Sequence, residues 1–127
     1  MSTAWVLGTA SSVFQKWPDR SFRELAEEVT EAALADAGVD GAQLEHAVFG
    51  NCAMGAHGQD NIRGQVALTA MMRDGRLPAR LPIVNVEAGC ATGSAALHAA
   101  IQAVRAGVVD LAFALGVEKT LVPDDPV

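Results

Sequence analysis

The sequence predicts an α/β fold in which a mainly parallel sheet is covered by helices. Three observations point there. Short apolar runs of strand length alternate with longer stretches whose apolar residues recur every three or four positions. The connections between them are short, and glycine or proline closes nearly every segment. The expected order is β-α-β-α-β-α-β, in a single domain over residues 1–127.

The elements follow in order. Residues 4–7, ended by Gly8, read as a short strand, and 9–19 as a loop broken by Pro18. Ser21 with Glu24 three positions on has the spacing of a capping box. Phe22, Leu25, Val29, Ala33 and Leu34 then recur at helical intervals until Gly38. Residues 44–50 read as a second strand that enters a Gly-rich loop over 50–58. A helix over 59–73 carries Ile62, Val66, Leu68 and Met72, and Asp74-Gly75 closes it. Between Pro78 and Pro82 the chain crosses the surface, and Ile83, Val84 and Val86 form a continuous apolar strand of the kind found buried in parallel sheets. Residues 90–106 read as a helix with Leu97, Ile101 and Val104 on one side and Gly107 as its stop. A fourth strand spans 108–115, and Pro123-Asp124-Asp125-Pro126 reads as a loop. No internal repeat or low-complexity tract interrupts the pattern.

Composition excludes several classes. Half of the 127 residues are apolar, enough for a core without disulfides or metal. A net charge of −6 leaves no basic face for nucleic acid or anionic lipid. The two cysteines, Cys52 and Cys90, do not make a secreted disulfide framework, and no apolar run approaches a bilayer span or a signal peptide. Reduced thiols and a cytoplasmic location are expected.

Cys90 is the candidate for chemistry. It falls where the third strand ends and a small-residue helix begins, with Gly89 before it and Gly93 after it. The positive end of a helix favours the thiolate that performs nucleophilic attack. A Gly-flanked turn also lets a thioester carbonyl approach, with backbone N–H groups facing the developing oxyanion. Two other readings fit the same turn: a small buried hydrophobe, and a phosphate-binding strand–turn–helix. The segment lacks the Gly-Lys-Ser/Thr ending of a P-loop and the full dinucleotide fingerprint.

The run Asn85-Val86-Glu87-Ala88-Gly89-Cys90-Ala91-Thr92-Gly93-Ser94, with the later Gly116-Val117-Glu118-Lys119, resembles the active-site cysteine segment of thiolases. Its Cys-Ala-Thr-Gly-Ser form is similar to the sterol-carrier-protein and archaeal branch. A second segment, Gly50-Asn51, Gly58-Gln59 and Arg63, resembles the family's Gly-Asn-x₆-Gly-Gln-x₃-Arg motif. The resemblance covers nearly the whole chain and implies the N-terminal half of a thiolase fold. It implies that Cys90 takes an acyl group from acyl-CoA, that Gly89 and Gly93 support the turn and oxyanion, and that Asn51, Gln59 and Arg63 lie at a dimer interface near the site. Acyl-CoA and CoA would be substrates, with no permanently bound cofactor. Thiolases complete the site with a histidine and a second cysteine in a C-terminal half, and no segment here resembles either motif. The expectation is therefore a fragment or one subunit of a split enzyme, inactive without the missing C-terminal part or a partner, either a second copy in a homo-oligomer or a complementing thiolase subunit. Some relatives also work with a zinc-ribbon and OB-fold accessory protein. Two other readings stay open: a non-catalytic interaction subunit, and a retro-aldol lyase of the steroid-degrading branch.

The remaining polar residues read mainly as structural. Cys52 fits a buried thiol better than a pocket lining, and His57, Asp60 and Cys52 lack the repeated spacing of a metal site, so no metal is expected. His98 lies two helical turns from Cys90, roughly 12 Å along a helix axis, and reads as a core or interface residue. Glu87 reads as a pocket carboxylate or an ion-pair partner for an arginine, with the structural role preferred, and Glu118-Lys119 as loop positioning.

Overall fold

Helix α1, Phe22–Ala37, starts where its capping box predicts. Ser21 Oγ accepts from the Glu24 N–H at 3.2 Å, and Glu24 Oε2 accepts from the Ser21 N–H at 2.7 Å, so both ends of the first turn are satisfied. Gly38 ends the helix in the left-handed region. The structure is a computed structural model that describes residues 3–120.

Three strands form one parallel sheet: β1 (His46–Gly50), β2 (Ile83–Val86) and β3 (Ala112–Gly116), in the order β2-β1-β3. Helix α2, Arg63–Arg73, links β1 to β2, and α3, Thr92–Arg105, links β2 to β3. Because side chains alternate along a strand, β1 feeds two cores. Ala47 and Phe49 join Leu25, Leu68, Met71 and Leu115 under α1 and α2, while Val48 packs with Ala96 and Ala100 of α3. The result is a three-layer α/β/α unit of the predicted class. All three strands end together, with Gly50 in register with Val86 and Gly116. The residues that follow each strand therefore meet at the carboxyl edge of the sheet, where open α/β folds bind ligands.

Several local expectations differ from the structure. Residues 4–7 pair with no strand, so the described order begins with α1; Trp5, Val6 and Leu7 are 80%, 67% and 58% exposed. They face β3 across a groove of about 530 Å³, which α1 and α3 also line. Without a neighbour to take up its backbone bonds, an apolar alternating segment does not become a strand. The continuous apolar run of β2 lies at a sheet edge, with Val84 46% exposed. Helix α2 starts at Arg63 instead of residue 59, because Asp60-Asn61-Ile62 turns the chain and Ile62 adopts φ 44°. Its Gly64 N–H is capped from another element, by Asn85 Oδ1 of β2 at 2.6 Å. On α3 the alanine face, not Leu97, meets the sheet, and Leu97 is 47% exposed. The last strand begins at Ala112 because Glu45 Oε2 takes the Asp110 and Leu111 N–H groups at 2.6 and 3.0 Å, holding 110–111 in a turn. The loop expected at Pro123-Asp124-Asp125-Pro126 lies outside the described residues. No described helix is long and apolar enough to cross a membrane.

Candidate active site

Cys90 sits in a single 3-10 turn, Gly89–Ala91, between β2 and α3, and is exposed. Gly50 allows this position. A Cβ there would lie 2.9 Å from Thr92 Cγ2, so only glycine lets the first turn of α3 rest on the end of β1. Gly89 adopts φ 55°, where a Cβ is strained although the space beside it is open. Gly93 is different: no atom lies within 4 Å of its missing Cβ and its φ is ordinary, so the chain's own packing does not require glycine there.

Thr92 organises the turn. Its hydroxyl donates to Gly89 O at 2.7 Å and accepts from the Ala88 N–H at 2.8 Å, while Glu87 Oε1 accepts from the Gly89 N–H at 2.7 Å. The sequence contained a clue to Thr92, since hydroxyl side chains at helix starts commonly bond nearby backbone. Its reach to another loop was not visible.

That loop follows β1 and is built around Asn51, which is 2% exposed. Asn51 Nδ2 donates to Val117 O at 2.7 Å and to Glu118 Oε1 at 3.0 Å; Oδ1 accepts from the Met54 N–H at 2.9 Å. Glu118 also accepts from the Cys52 and Ala53 N–H groups at 2.7 and 3.0 Å, so it positions the loop as its sequence context suggested. Arg63 Nη1 donates to Asn51 O at 2.9 Å. Asn51 and Arg63 are thus brought together, whereas the Gln59 side chain donates only locally, to Asn61 O at 2.5 Å. Cys52 is half-buried and faces the Gly89–Ala91 turn: its Sγ lies 3.2 Å from Gly89 O and 3.0 Å from Thr92 Oγ1.

A cleft of about 300 Å³ opens beside these loops, with Asp60, Ile62, Arg63, Asn85 and Glu87 in its walls. Ile62 lines it in the left-handed region, an outlier for a β-branched residue and 61% exposed. The described contacts of His57 and His98 are with other groups. His57 Nε2 lies 3.0 Å from Lys119 O and its ring stacks edge-on to Phe22. His98 is exposed on α3 beside Gln102, so of the core and interface positions expected for it the core one does not hold. Among the described residues no group of three His, Cys, Asp or Glu side chains could hold a metal ion.

Fold and turn together define an α/β protein that carries an exposed cysteine at the carboxyl edge of a parallel sheet. The family described as thiolase, N-terminal domain, matches residues 7–122, and the chain belongs to it. It is 38% identical over 122 residues to an acetyl-CoA acetyltransferase of Methanothermobacter thermautotrophicus, covering 95% of this chain and 30% of that protein. It is 34% identical over 118 residues to sterol carrier protein 2 of Bos taurus, covering 91% of this chain and 20% of that protein. The chain thus spans under a third of the length of these relatives. Among solved structures, 3-oxoacyl-[acyl-carrier-protein] synthase III of Aquifex aeolicus has a TM-score of 0.67 at 14% identity, over 83% of this chain and 32% of that one, a likeness of fold.

Proposed function

We propose that this chain supplies the acyl-accepting cysteine of a thiolase-type acyltransferase, with Cys90 as the nucleophile. The observation that carries this is the exposed thiol on the Gly89 turn, in a chain whose relatives include acetyl-CoA acetyltransferases. The Cys90 thiolate attacks the thioester carbonyl; the new carbon–sulfur bond forms as the bond to CoA sulfur breaks, and CoA leaves as a thiolate that takes up a proton. The acyl group then passes to CoA sulfur in cleavage, or to the enolate carbon of acetyl-CoA in condensation, and Cys90 is freed. No group binds permanently; CoA thioesters are substrates.

His57 Nε2 lies against Lys119 O and His98 beside Gln102, so neither is assigned as the base that takes the Cys90 proton. A second copy or a complementing thiolase subunit supplies the burial that β2, β3 and the exposed Trp5 to Leu7 segment call for. Asn51 and Gln59 on the loop after β1, with Arg63 at the start of α2, lie beside the face that such a partner would cover.

Timed alkylation with iodoacetamide tests the assignment on the natural assembly. Cys90 is expected to label faster than Cys52, and acyl-CoA to protect it. Equal labelling without protection contradicts it, and carbon–carbon cleavage retained in Cys90→Ala replaces it with a retro-aldol lyase.

A further inference from the structure

Cys52 is unused by the chemistry above, yet it faces the turn that carries Cys90. Gly89 O, the carbonyl of the peptide that joins Gly89 to Cys90, accepts from Thr92 Oγ1 at 2.7 Å and from the Thr92 N–H, and Cys52 Sγ lies 3.2 Å from it. Thr92 gives its single hydroxyl proton to Gly89 O, which leaves Oγ1 as an acceptor for the Ala88 N–H, and the one S–H proton of Cys52 is shared between Gly89 O and Thr92 Oγ1 at 3.2 and 3.0 Å. The Cys52 backbone is held beside this turn by its own N–H, which donates to Glu118 Oε2 at 2.7 Å.

A trans peptide points its C=O and N–H in opposite directions. Fixing Gly89 O inward, against Thr92 and Cys52, turns the Cys90 N–H outward, and that N–H has no hydrogen-bond partner among the described residues. Glycine's backbone freedom at position 89 would otherwise leave this peptide plane free to rotate. We propose that Cys52 and Thr92 are a positioning pair that holds the Gly89 carbonyl and so aims the Cys90 N–H at the oxygen of the incoming acyl group. The proposal rests on the acyl-enzyme assignment to Cys90 and adds to it a role for the second cysteine.

Two electrophiles separate aim from reactivity. Acylation by acetyl-CoA develops charge on a carbonyl oxygen and needs an aimed donor; alkylation by iodoacetamide displaces iodide at carbon and does not. Removing an oxyanion donor outright costs about a hundredfold or more, so misaiming one is expected to slow acylation of Cys90 about tenfold in Cys52→Ala. Its alkylation should stay within about twofold of the parent, as expected when only carbonyl-charge stabilisation is lost. Cys52→Ser, which keeps a donor, should restore acylation, and Thr92→Val should repeat the Cys52→Ala pattern. Rates are read by peptide mass spectrometry on the protein in its natural assembly. Equal slowing with both electrophiles in Cys52→Ala and Cys52→Ser, or unchanged acylation in Cys52→Ala, overturns the pair. Failure of the parent protein to acylate on Cys90 overturns the nucleophile assignment itself, and is read before any variant is made.

Discussion

Replacing Asn51 by aspartate changes one donor and almost no volume, which makes it the sharpest probe of how the site loops are held. In the parent, the amide is oriented by Val117 O and the Met54 N–H, at 2.7 and 2.9 Å, and Nδ2 also reaches Glu118 Oε1 at 3.0 Å. Asn51→Ala removes four side-chain hydrogen bonds, the longest at 3.4 Å from Arg63 Nη1; the three shorter ones are worth about 1 kcal/mol net each, and stranding the buried Met54 N–H adds about 1 kcal/mol or more. A loss of about 4 kcal/mol or more follows, a large part of the stability of a typical domain. Asn51→Asp keeps the acceptor for Met54 but sets a carboxylate oxygen against Val117 O and Glu118 Oε1. It is therefore expected to lose at least as much as alanine, despite its shape. Equilibrium unfolding in urea, with unchanged dependence on denaturant, reports the difference. An aspartate variant within about 0.5 kcal/mol of the parent would refute the assignment of Asn51 as the donor that ties the loop to β3.

Gly50→Ala places a Cβ 2.9 Å from Thr92 Cγ2, so it should push α3 off the end of β1, cost about 1–3 kcal/mol in thermal unfolding and slow Cys90 labelling. Gly89→Ala meets no atom but forces φ 55° on an L-residue; a loss of about 1–2 kcal/mol is expected, against almost none if the turn relaxes freely. The hydrogen bonds from the Ser21 backbone and side chain hold the Glu24 carboxyl below its ordinary value of 4.5. Its contribution is thus present above that value and lost as pH falls through the lower folded one. Acid titration of the unfolding transition should show this loss in the parent and not in Glu24→Gln.

Signals carried by neighbours in the chain were readable. The Ser21–Glu24 capping box and the Gly38 stop bounded α1 to within a residue, because both act within one helical turn. Cys90 was recognisable from its place between an apolar strand and a small-residue helix. What escaped depends on contacts across the chain. The cap on α2 comes from Asn85, 21 residues away from Gly64, so the local pattern ran the helix back through Ile62. Residues 4–7 have the pattern of a strand, yet pairing needs a neighbour and β3 lies across a groove. Thr92 and Cys52 are 40 positions apart in sequence and meet only because Gly50 brings α3 onto β1.

The most direct test of Cys90 as the acyl acceptor is to trap its adduct. The protein in its natural assembly is mixed with acetyl-CoA, quenched in acid and digested, and the cysteine peptides are weighed. An acetyl group on the peptide that contains Cys90, absent after Cys90→Ser or on adding excess CoA, is the predicted result. Acetylation confined to the Cys52 peptide, or none on either thiol while turnover proceeds, would contradict it.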